Sequence, residues 1–95
     1  MSPLTQQTIL IRGKVQGVGF RYSAQHQALR HELRGFVRNR ADGCVEVVAQ
    51  GEGDKLEAFV VWCRQGPAAA RVRHVDIRFD TVEEIFTTFE IRETL

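Results

Sequence analysis

The chain has 95 residues, a formal net charge of +1 and 26% charged side chains. A chain of this length fits one domain with one hydrophobic core. The near-zero charge argues against a general nucleic-acid-binding protein, and no segment approaches the roughly 20 apolar residues of a membrane helix. Because the N-terminus also lacks the layout of a secretory signal, we expect a cytoplasmic protein that binds neither nucleic acid nor membrane.

The charges and the cysteines narrow the possible ligands. Residues 1–43 carry seven Lys or Arg against two acids, a balance of +5, whereas residues 44–95 carry six against ten, a balance of −4. The positive half favours a small anionic ligand, although a solvated surface would give the same count. Cys44 and Cys63 have no metal-site spacing, so we expect two small buried or half-buried thiols. We expect neither a metal nor a cofactor. A single disulfide between the two cysteines is left open.

Hydrophobic periodicity predicts the elements of the first half. Residues 1–6 resemble a loose tail, and alternation over residues 8–15 predicts a strand with one solvated side. Apolar residues at helical spacing from Phe20 to about residue 31 predict a helix. Residues 33–40 and 44–51 predict two strands, joined by an Asp-Gly hairpin turn that tolerates a positive φ.

The second half contains one more helix and two more strands. Asp54 is a candidate N-cap for a helix that continues through Gln65, and the following Gly-Pro pair ends that helix. Residues 71–79 alternate as a fourth strand, and residues 86–92 predict a final strand.

The order of these elements predicts the fold. The pattern β-α-β-β-α-β with one extra C-terminal strand is typical of the α+β ferredoxin-like sandwich. In that fold an antiparallel sheet carries two helices on one face, which agrees with the one-sided alternation of the strands. We expect a single domain over residues 1–95.

A glycine-rich segment, GKVQGVGFR at residues 13–21, lies between the first strand and the first helix. It lacks the Gly-Lys-Ser/Thr of a P-loop, and Tyr22 stands where the dinucleotide pattern needs its third glycine. Glycines nevertheless let backbone N–H groups converge on one point, at a helix N-terminus whose dipole attracts anions. The segment is therefore either an anion cradle or an ordinary strand-to-helix turn.

Two side chains near this segment are candidate site residues. Arg21 falls in the first helical turn, where the dipole disfavours a cation by ~0.3–1 kcal/mol. A bound phosphate would compensate, because a guanidinium forks onto two phosphate oxygens, although a plain surface arginine is the alternative. Asn39, the only asparagine, either caps the hairpin turn or holds a water molecule. The ends of the first two strands can approach one rim of the sheet, so Arg21 and Asn39 can share a site.

The segments GKVQGVGFR, GFVRN, GCVEVVAQG and FEIR together resemble the acylphosphatase family. The resemblance covers about residues 8–92 and implies a ferredoxin-like enzyme that hydrolyses acyl phosphates to carboxylate and inorganic phosphate without a metal. It implies that Arg21 binds the phosphate, that Asn39 orients the attacking water and that the substrate's own phosphate accepts the water's proton. It also implies a cradle of backbone amides, which belong to Gln16, Gly17, Val18, Gly19, Phe20 and Arg21.

Two positions depart from the family pattern, and two other functions stay open. Glu32 stands where such sequences commonly have glycine, which would cost on the order of 1 kcal/mol at a left-handed helix end. The C-terminus ends in RETL rather than in an aromatic residue. A non-catalytic phosphate-binding regulatory module is the alternative, and the low charge disfavours an RNA-binding module. We expect a monomer that acts on a small-molecule acyl phosphate.

Overall fold

A computed structural model of the protein describes residues 4–95. Its elements are β1 (Thr5–Lys14), α1 (Phe20–Arg30), β2 (Arg34–Asn39), β3 (Val45–Gly51), α2 (Gly53–Gln65), β4 (Arg71–Asp80) and β5 (Phe89–Ile91). The predicted α+β ferredoxin-like fold is confirmed, because the described residues form two helices and one five-stranded sheet. Neither helix is long and apolar enough to cross a membrane.

The strands lie in the sheet in the order β4-β1-β3-β2-β5. β1 runs antiparallel to both β3 and β4, and β2 runs antiparallel to β3. The prediction of an antiparallel sheet is wrong at the last pair, because β5 runs parallel to β2. The connection after β4 crosses to the far edge of the sheet and reverses direction, so β5 runs opposite to β4. Because β2 also runs opposite to β4, β5 must be parallel to β2.

Both helices cover one face of the sheet, where the hydrophobic core lies. Alternate residues of the central strands, including Ile9, Ile11, Val45 and Val47, are fully buried on this face. The helices add apolar residues at helical spacing, among them Phe20, Ala24, Ala28, Leu56, Phe59 and Cys63. Each fully buried large side chain contributes about 1.5–3 kcal/mol. The core fixes the position of the helix that begins at the glycine segment.

Three predicted boundaries differ from the structure by two residues or more. The expected tail at residues 1–6 is too long, because β1 begins at Thr5; residues 1–3 lie outside the described residues. The N-cap of α2 is Glu52 rather than Asp54, because Glu52 is the last residue with extended backbone angles and Asp54 already lies in the first turn. The final strand spans Phe89–Ile91 only, since the preceding residues form the crossing connection.

The crossing connection, residues 81–88, is held by Gln50, which is only 2% exposed. Gln50 Nε2 donates hydrogen bonds to the Glu84 carbonyl at 2.6 Å and to Gln6 Oε1 at 2.7 Å, and its Oε1 accepts one from Phe86 N at 3.1 Å. At the other end, Gln25 Nε2 of α1 donates to the Phe89 carbonyl at 2.9 Å. These bonds bring β5 to the rim where α1 begins.

Glu32, which follows the C-cap of α1, has the left-handed conformation that the resemblance to the family implied. Its φ is 58°, the only positive φ of a non-glycine residue among residues 4–95. The amide of Leu33 donates to the Ala28 carbonyl at 2.9 Å, and the amide of Glu32 donates to the Leu29 carbonyl at 3.1 Å. These two bonds form the Schellman motif, whose left-handed residue is usually glycine.

Candidate active site

The segment between β1 and α1 needs its glycines for their backbone conformation. Gly17 and Gly19 have φ values of 74° and 78°. A Cβ at either position would meet no atom within 4 Å, so the space around both is open. The demand is conformational, because the left-handed region costs a residue with a side chain roughly 1–2 kcal/mol. Alternating left-handed residues turn successive amides toward one concavity, which is an arrangement that binds anions.

The backbone amides of this segment are available to a ligand. None of the N–H groups from Gln16 to Arg21 has a hydrogen-bond acceptor among residues 4–95. Gly19 is the N-cap of α1, no side chain in the described part of the chain caps this helix, and its first turn contains no acid. Free amides and an uncompensated dipole at one helix N-terminus favour a bound anion.

Arg21 adds a positive charge to the same place. Its side chain is half-buried, yet it forms no ion pair and no side-chain hydrogen bond with any residue of the described range 4–95. Both the helix dipole and the partial burial disfavour an unpaired guanidinium here. A bound anion would remove both costs.

Asn39 reaches this site from the end of β2. Its Oδ1 is buried and has no hydrogen-bond partner among the described residues. Leaving a buried acceptor unsatisfied costs about 1–3 kcal/mol. A water or a ligand that donates a hydrogen bond would satisfy this oxygen.

A cavity of about 200 Å³ brings these groups together. Its lining residues are Val15, Gly17, Gly19, Phe20, Arg21, Tyr22, Asn39 and Ile91. The two candidate side chains and most of the glycine segment therefore share one cavity. Gln16 and Val18 are not part of its lining, because the Gln16 side chain binds elsewhere and Val18 packs against the core.

Sequence reasoning missed two residues at the mouth of the cavity. Tyr22 is 72% exposed and Ile91 is 40% exposed, so both present apolar surface to solvent. The position of Tyr22 next to Arg21 in the sequence could have indicated that Tyr22 lies at the cavity. No sequence feature indicates this for Ile91, because β5 reaches this rim only through the crossing connection.

The Gln16 side chain, also missed, ties the glycine segment to the hairpin that follows Asn39. Its Nε2 donates to the Arg40 carbonyl at 2.8 Å and to the Cys44 carbonyl at 2.9 Å. These bonds fix the distance between the segment and the strand that carries Asn39. Gln16 therefore acts as a brace between the two halves of the cavity.

The hairpin itself is held by Asp42. Its Oδ1 accepts a hydrogen bond from Cys44 N at 3.1 Å, and this bond holds the pKa of Asp42 below its usual value. Both cysteines are buried free thiols, and burial raises the pKa of Cys44 and of Cys63. Residues 4–95 contain no group of three or more His, Cys, Asp or Glu that could hold a metal ion.

Fold and cavity define a small α+β domain that can take one compact anion at a helix N-terminus. The acylphosphatase family model matches residues 7–91. An acylphosphatase from Aeropyrum pernix is 48% identical over 90 residues, which cover 94% of this chain and 89% of that protein. Another from Anaeromyxobacter sp. is 46% identical over 92 residues, covering 97% of this chain and 99% of that protein.

A solved structure agrees with these relatives. The crystal structure of acylphosphatase from Bacillus subtilis superimposes with a TM-score of 0.90 at 37% identity, covering 95% of this chain and 99% of that one. The chain belongs to the acylphosphatase family, hydrolases that act on acyl phosphates. The resemblance seen in the sequence is thereby confirmed.

Proposed function

We propose that the backbone amides of residues 16–21 and the guanidinium of Arg21 hold the phosphoryl group of an acyl phosphate, while Asn39 orients the attacking water. The observation that carries this proposal is the coincidence of free amides, an unpaired arginine and an unsatisfied amide oxygen around one cavity. The unsatisfied Asn39 oxygen and the half-buried, unpaired Arg21 are each costly alone, and one phosphoryl group with one water would satisfy them together with the free amides.

The phosphoryl group fits the donors of the cavity. Its oxygens accept hydrogen bonds from the backbone amides at the N-terminus of α1, which is the positive end of the helix dipole. Arg21 contributes a charge-assisted pair of bonds. Phosphoryl transfer depends mainly on positioning and on stabilising charge that develops on the equatorial oxygens. Fixed backbone donors supply both without rearrangement.

Asn39 suits the water. Its Oδ1 accepts a hydrogen bond from the water, which directs an oxygen lone pair toward phosphorus. The water oxygen bonds to phosphorus as the bond to the carboxylate oxygen breaks, and the leaving carboxylate takes the electron pair. The water's proton passes to a phosphoryl oxygen, so the products are a carboxylate and inorganic phosphate.

The composition of the cavity supports this route for the proton. Among the described residues that line it, no side chain is a carboxylate, a histidine, a lysine or a cysteine. A carboxylate is a good leaving group, so the reaction needs little general acid. A substrate that serves as its own base fits these surroundings.

Hydrolysis of benzoyl phosphate, followed by absorbance with and without EDTA, tests the reaction. We expect turnover that survives the chelator, whereas loss of turnover in EDTA would contradict the metal-independent route. Phosphate binding without turnover would favour the regulatory module instead.

Asn39→Ala tests the role given to the asparagine. We expect kcat to fall by ~10²-fold, because one lost transition-state contact costs about 2.7–4 kcal/mol, while inorganic phosphate still inhibits. Gln27→Ala, at a half-buried position of α1 outside the cavity lining, is the matched control. Full activity of the Asn39 variant would remove this residue from the mechanism. The cytoplasmic location expected from the sequence stays a prediction.

A further inference from the structure

The mouth of the cavity carries two exposed apolar side chains that phosphoryl binding does not explain. Of the large hydrophobic side chains exposed among residues 4–95, Tyr22 and Ile91 are the two that line this cavity. They come from α1 and β5, which lie far apart in the chain. Single exposed apolar residues are ordinary, whereas apolar residues gathered at a cavity are typical of a ligand site.

The first turn of α1 places Tyr22 beside the phosphoryl cradle. The amide of Ser23 donates to the Gly19 carbonyl at 3.1 Å, and this bond closes the turn that contains both Arg21 and Tyr22. Each aromatic pair within residues 4–95 is formed by phenylalanine and tryptophan rings, so the Tyr22 ring is not stacked on another ring there. The exposed ring is therefore free to contact a ligand.

Ile91 lies at the same mouth because the helix layer ends there. Phe89 and Ile91 are two residues apart on β5, so their side chains point to the same face of the sheet. Phe89 is buried in the core, whereas Ile91 lies beyond the covered part of this face. Ile91 pairs with Val37 of β2, and the amide of Arg92 donates to the Val37 carbonyl at 2.9 Å. These contacts fix Ile91 near the end of β2.

The charges around the cavity limit what an acyl group can carry. Arg21 is the only charged side chain among the described residues of the lining, and a bound phosphoryl group would occupy it. Arg40 is already paired with two carboxylates. The guanidinium of Arg92 lies 4.0 Å from the centre of the Phe36 ring, on the open face of the sheet, which carries no helices. An acyl group with a second negative charge would therefore meet no free cation in this lining.

The size of the cavity brings the acyl group to its mouth. The cavity has a volume of about 200 Å³, which is less than the roughly 300–1,000 Å³ of typical small-molecule pockets. An acyl group is joined to phosphorus through a single bridging oxygen, so it begins next to the phosphoryl group. The cavity can hold the phosphoryl group and the start of the acyl group, and the rest must lie against the mouth.

We propose that Tyr22 and Ile91 form the subsite for the acyl group, and that this subsite favours an aromatic, uncharged acyl group. The proposal rests on the proposed function, because it takes the phosphoryl group to lie in the cradle. An aromatic acyl group can pack against the Tyr22 ring in an offset or edge-to-face arrangement, whereas a methyl group covers little of it. Because this contact is made equally in the ground state and the transition state, it lowers KM and leaves kcat unchanged.

Benzoyl phosphate and acetyl phosphate test the subsite, since they join the same phosphoryl group to a ring and to a methyl group. We expect the wild-type KM to be at least about tenfold lower for benzoyl phosphate. Tyr22→Ala should raise that KM about fivefold and keep the KM for acetyl phosphate within about twofold of wild type. Tyr22→Phe keeps the ring and should behave as wild type.

Leu29→Ala is the matched control, because it removes another exposed apolar side chain of α1 outside the cavity lining. We expect this variant to keep both KM values. If Tyr22→Ala changes KM equally for the two substrates, or for neither, the subsite is overturned while the proposed function stands. Absence of turnover of both substrates by the wild type would overturn the proposed function and the subsite with it.

Phosphonate inhibitors test the same subsite without turnover of the probe. Against acetyl phosphate hydrolysis, phenylphosphonate should have an inhibition constant at least about tenfold lower than methylphosphonate or phosphonoacetate. Tyr22→Ala should narrow this difference to about twofold and leave inhibition by inorganic phosphate unchanged. Phosphonoacetate that binds as tightly as phenylphosphonate would overturn the preference for an uncharged acyl group.

Discussion

Arg21 and Arg38 are both half-buried, but their surroundings are opposite. Arg38, on the open face of the sheet, donates from Nε to Glu46 Oε1 at 2.6 Å, and its guanidinium lies 5.2 Å from the centre of the Phe36 ring. Arg21, at the rim of the cavity, has no acidic partner within residues 4–95. Removing a paired arginine leaves its carboxylate uncompensated, whereas an unpaired arginine at a concave site is available to a ligand.

The two helix N-termini also differ in whether an acidic side chain offsets their positive charge. Neither is capped by a side chain of the described residues, but α2 has Asp54 in its first turn and α1 has no acid there. A carboxylate in the first turn offsets the dipole. At the N-terminus of α1 no carboxylate offsets the dipole, and Arg21 adds a positive charge. The positive potential there can therefore attract an external anion.

Removing each arginine in turn should separate function from stability, and this is the largest effect we expect. Arg21→Ala should lower kcat by ~10²-fold or more, since one lost transition-state contact costs about 2.7–4 kcal/mol. Arg38→Ala should instead lower the free energy of unfolding by about 1–3 kcal/mol, because Glu46 is only 12% exposed and loses its nearer partner. Benzoyl phosphate kinetics and urea unfolding measure the two quantities. An equal loss of activity in both variants would erase the distinction between the two arginines.

Alanine at two glycines should separate the cradle from an ordinary turn. Gly19 and Gly43 both have positive φ, 78° and 93°, and a Cβ at either meets no atom within 4 Å. Alanine should therefore cost each site roughly 1–2 kcal/mol of stability. Only Gly19→Ala displaces the free amides, so we expect kcat/KM to fall about tenfold in that variant and to change little in Gly43→Ala. Similar kinetics in the two variants would show that the segment is only a turn.

Acid should lower the free energy of unfolding through the carboxylate of Asp80, which is hydrogen-bonded to side chains on the face of the sheet that carries no helices. Burial alone would raise the pKa of Asp80, but hydrogen bonds from Thr8, Arg78 and Gln6 outweigh it and hold the pKa below its usual value. A lowered folded-state pKa means that this stability is present above the unfolded pKa of about 3.9 and is lost as pH falls through the lower folded value.

The matched variant for this effect is Asp80→Asn. We expect it to be less stable than the wild type by about 1–3 kcal/mol at pH 7, and the difference should shrink as pH falls below about 4. Urea unfolding at several pH values measures this difference. A gap that stays constant down to pH 2 would contradict the role given to the carboxylate.

Glu32→Gly should give the smallest effect, an increase in stability. The left-handed conformation at φ 58° costs a non-glycine residue about 1 kcal/mol, and glycine removes that cost. Glu32→Ala is the control, because it loses the contact with Lys55 but keeps the strain. The midpoint of urea unfolding should be higher for the glycine variant than for the alanine variant. The reverse order would mean that the side chain, not the backbone, decides this position.

Local patterns were enough to predict the element order and to indicate that Arg21 and Asn39 can share a site, whereas the left-handed Glu32 was implied only by the resemblance to the family. The element order and the shared site each depend on residues close together in the chain or on a strand end whose place the fold class fixes. The parallel β5 and the cavity position of Ile91 could not be predicted, because both depend on a connection that crosses the sheet. The brace formed by Gln16 was also invisible, since its partners are carbonyl groups of a distant hairpin.

Titration of the ¹⁵N-labelled protein with inorganic phosphate tests the central claim most directly. If free amides at the start of α1 hold the phosphoryl group, the amide signals of residues 16–21 should shift together and saturate, and the Asn39 side-chain amide should shift with them. Arg21→Ala should weaken the titration without moving it elsewhere. Signals that shift instead around other arginines, or no shift at saturating phosphate, would contradict this account.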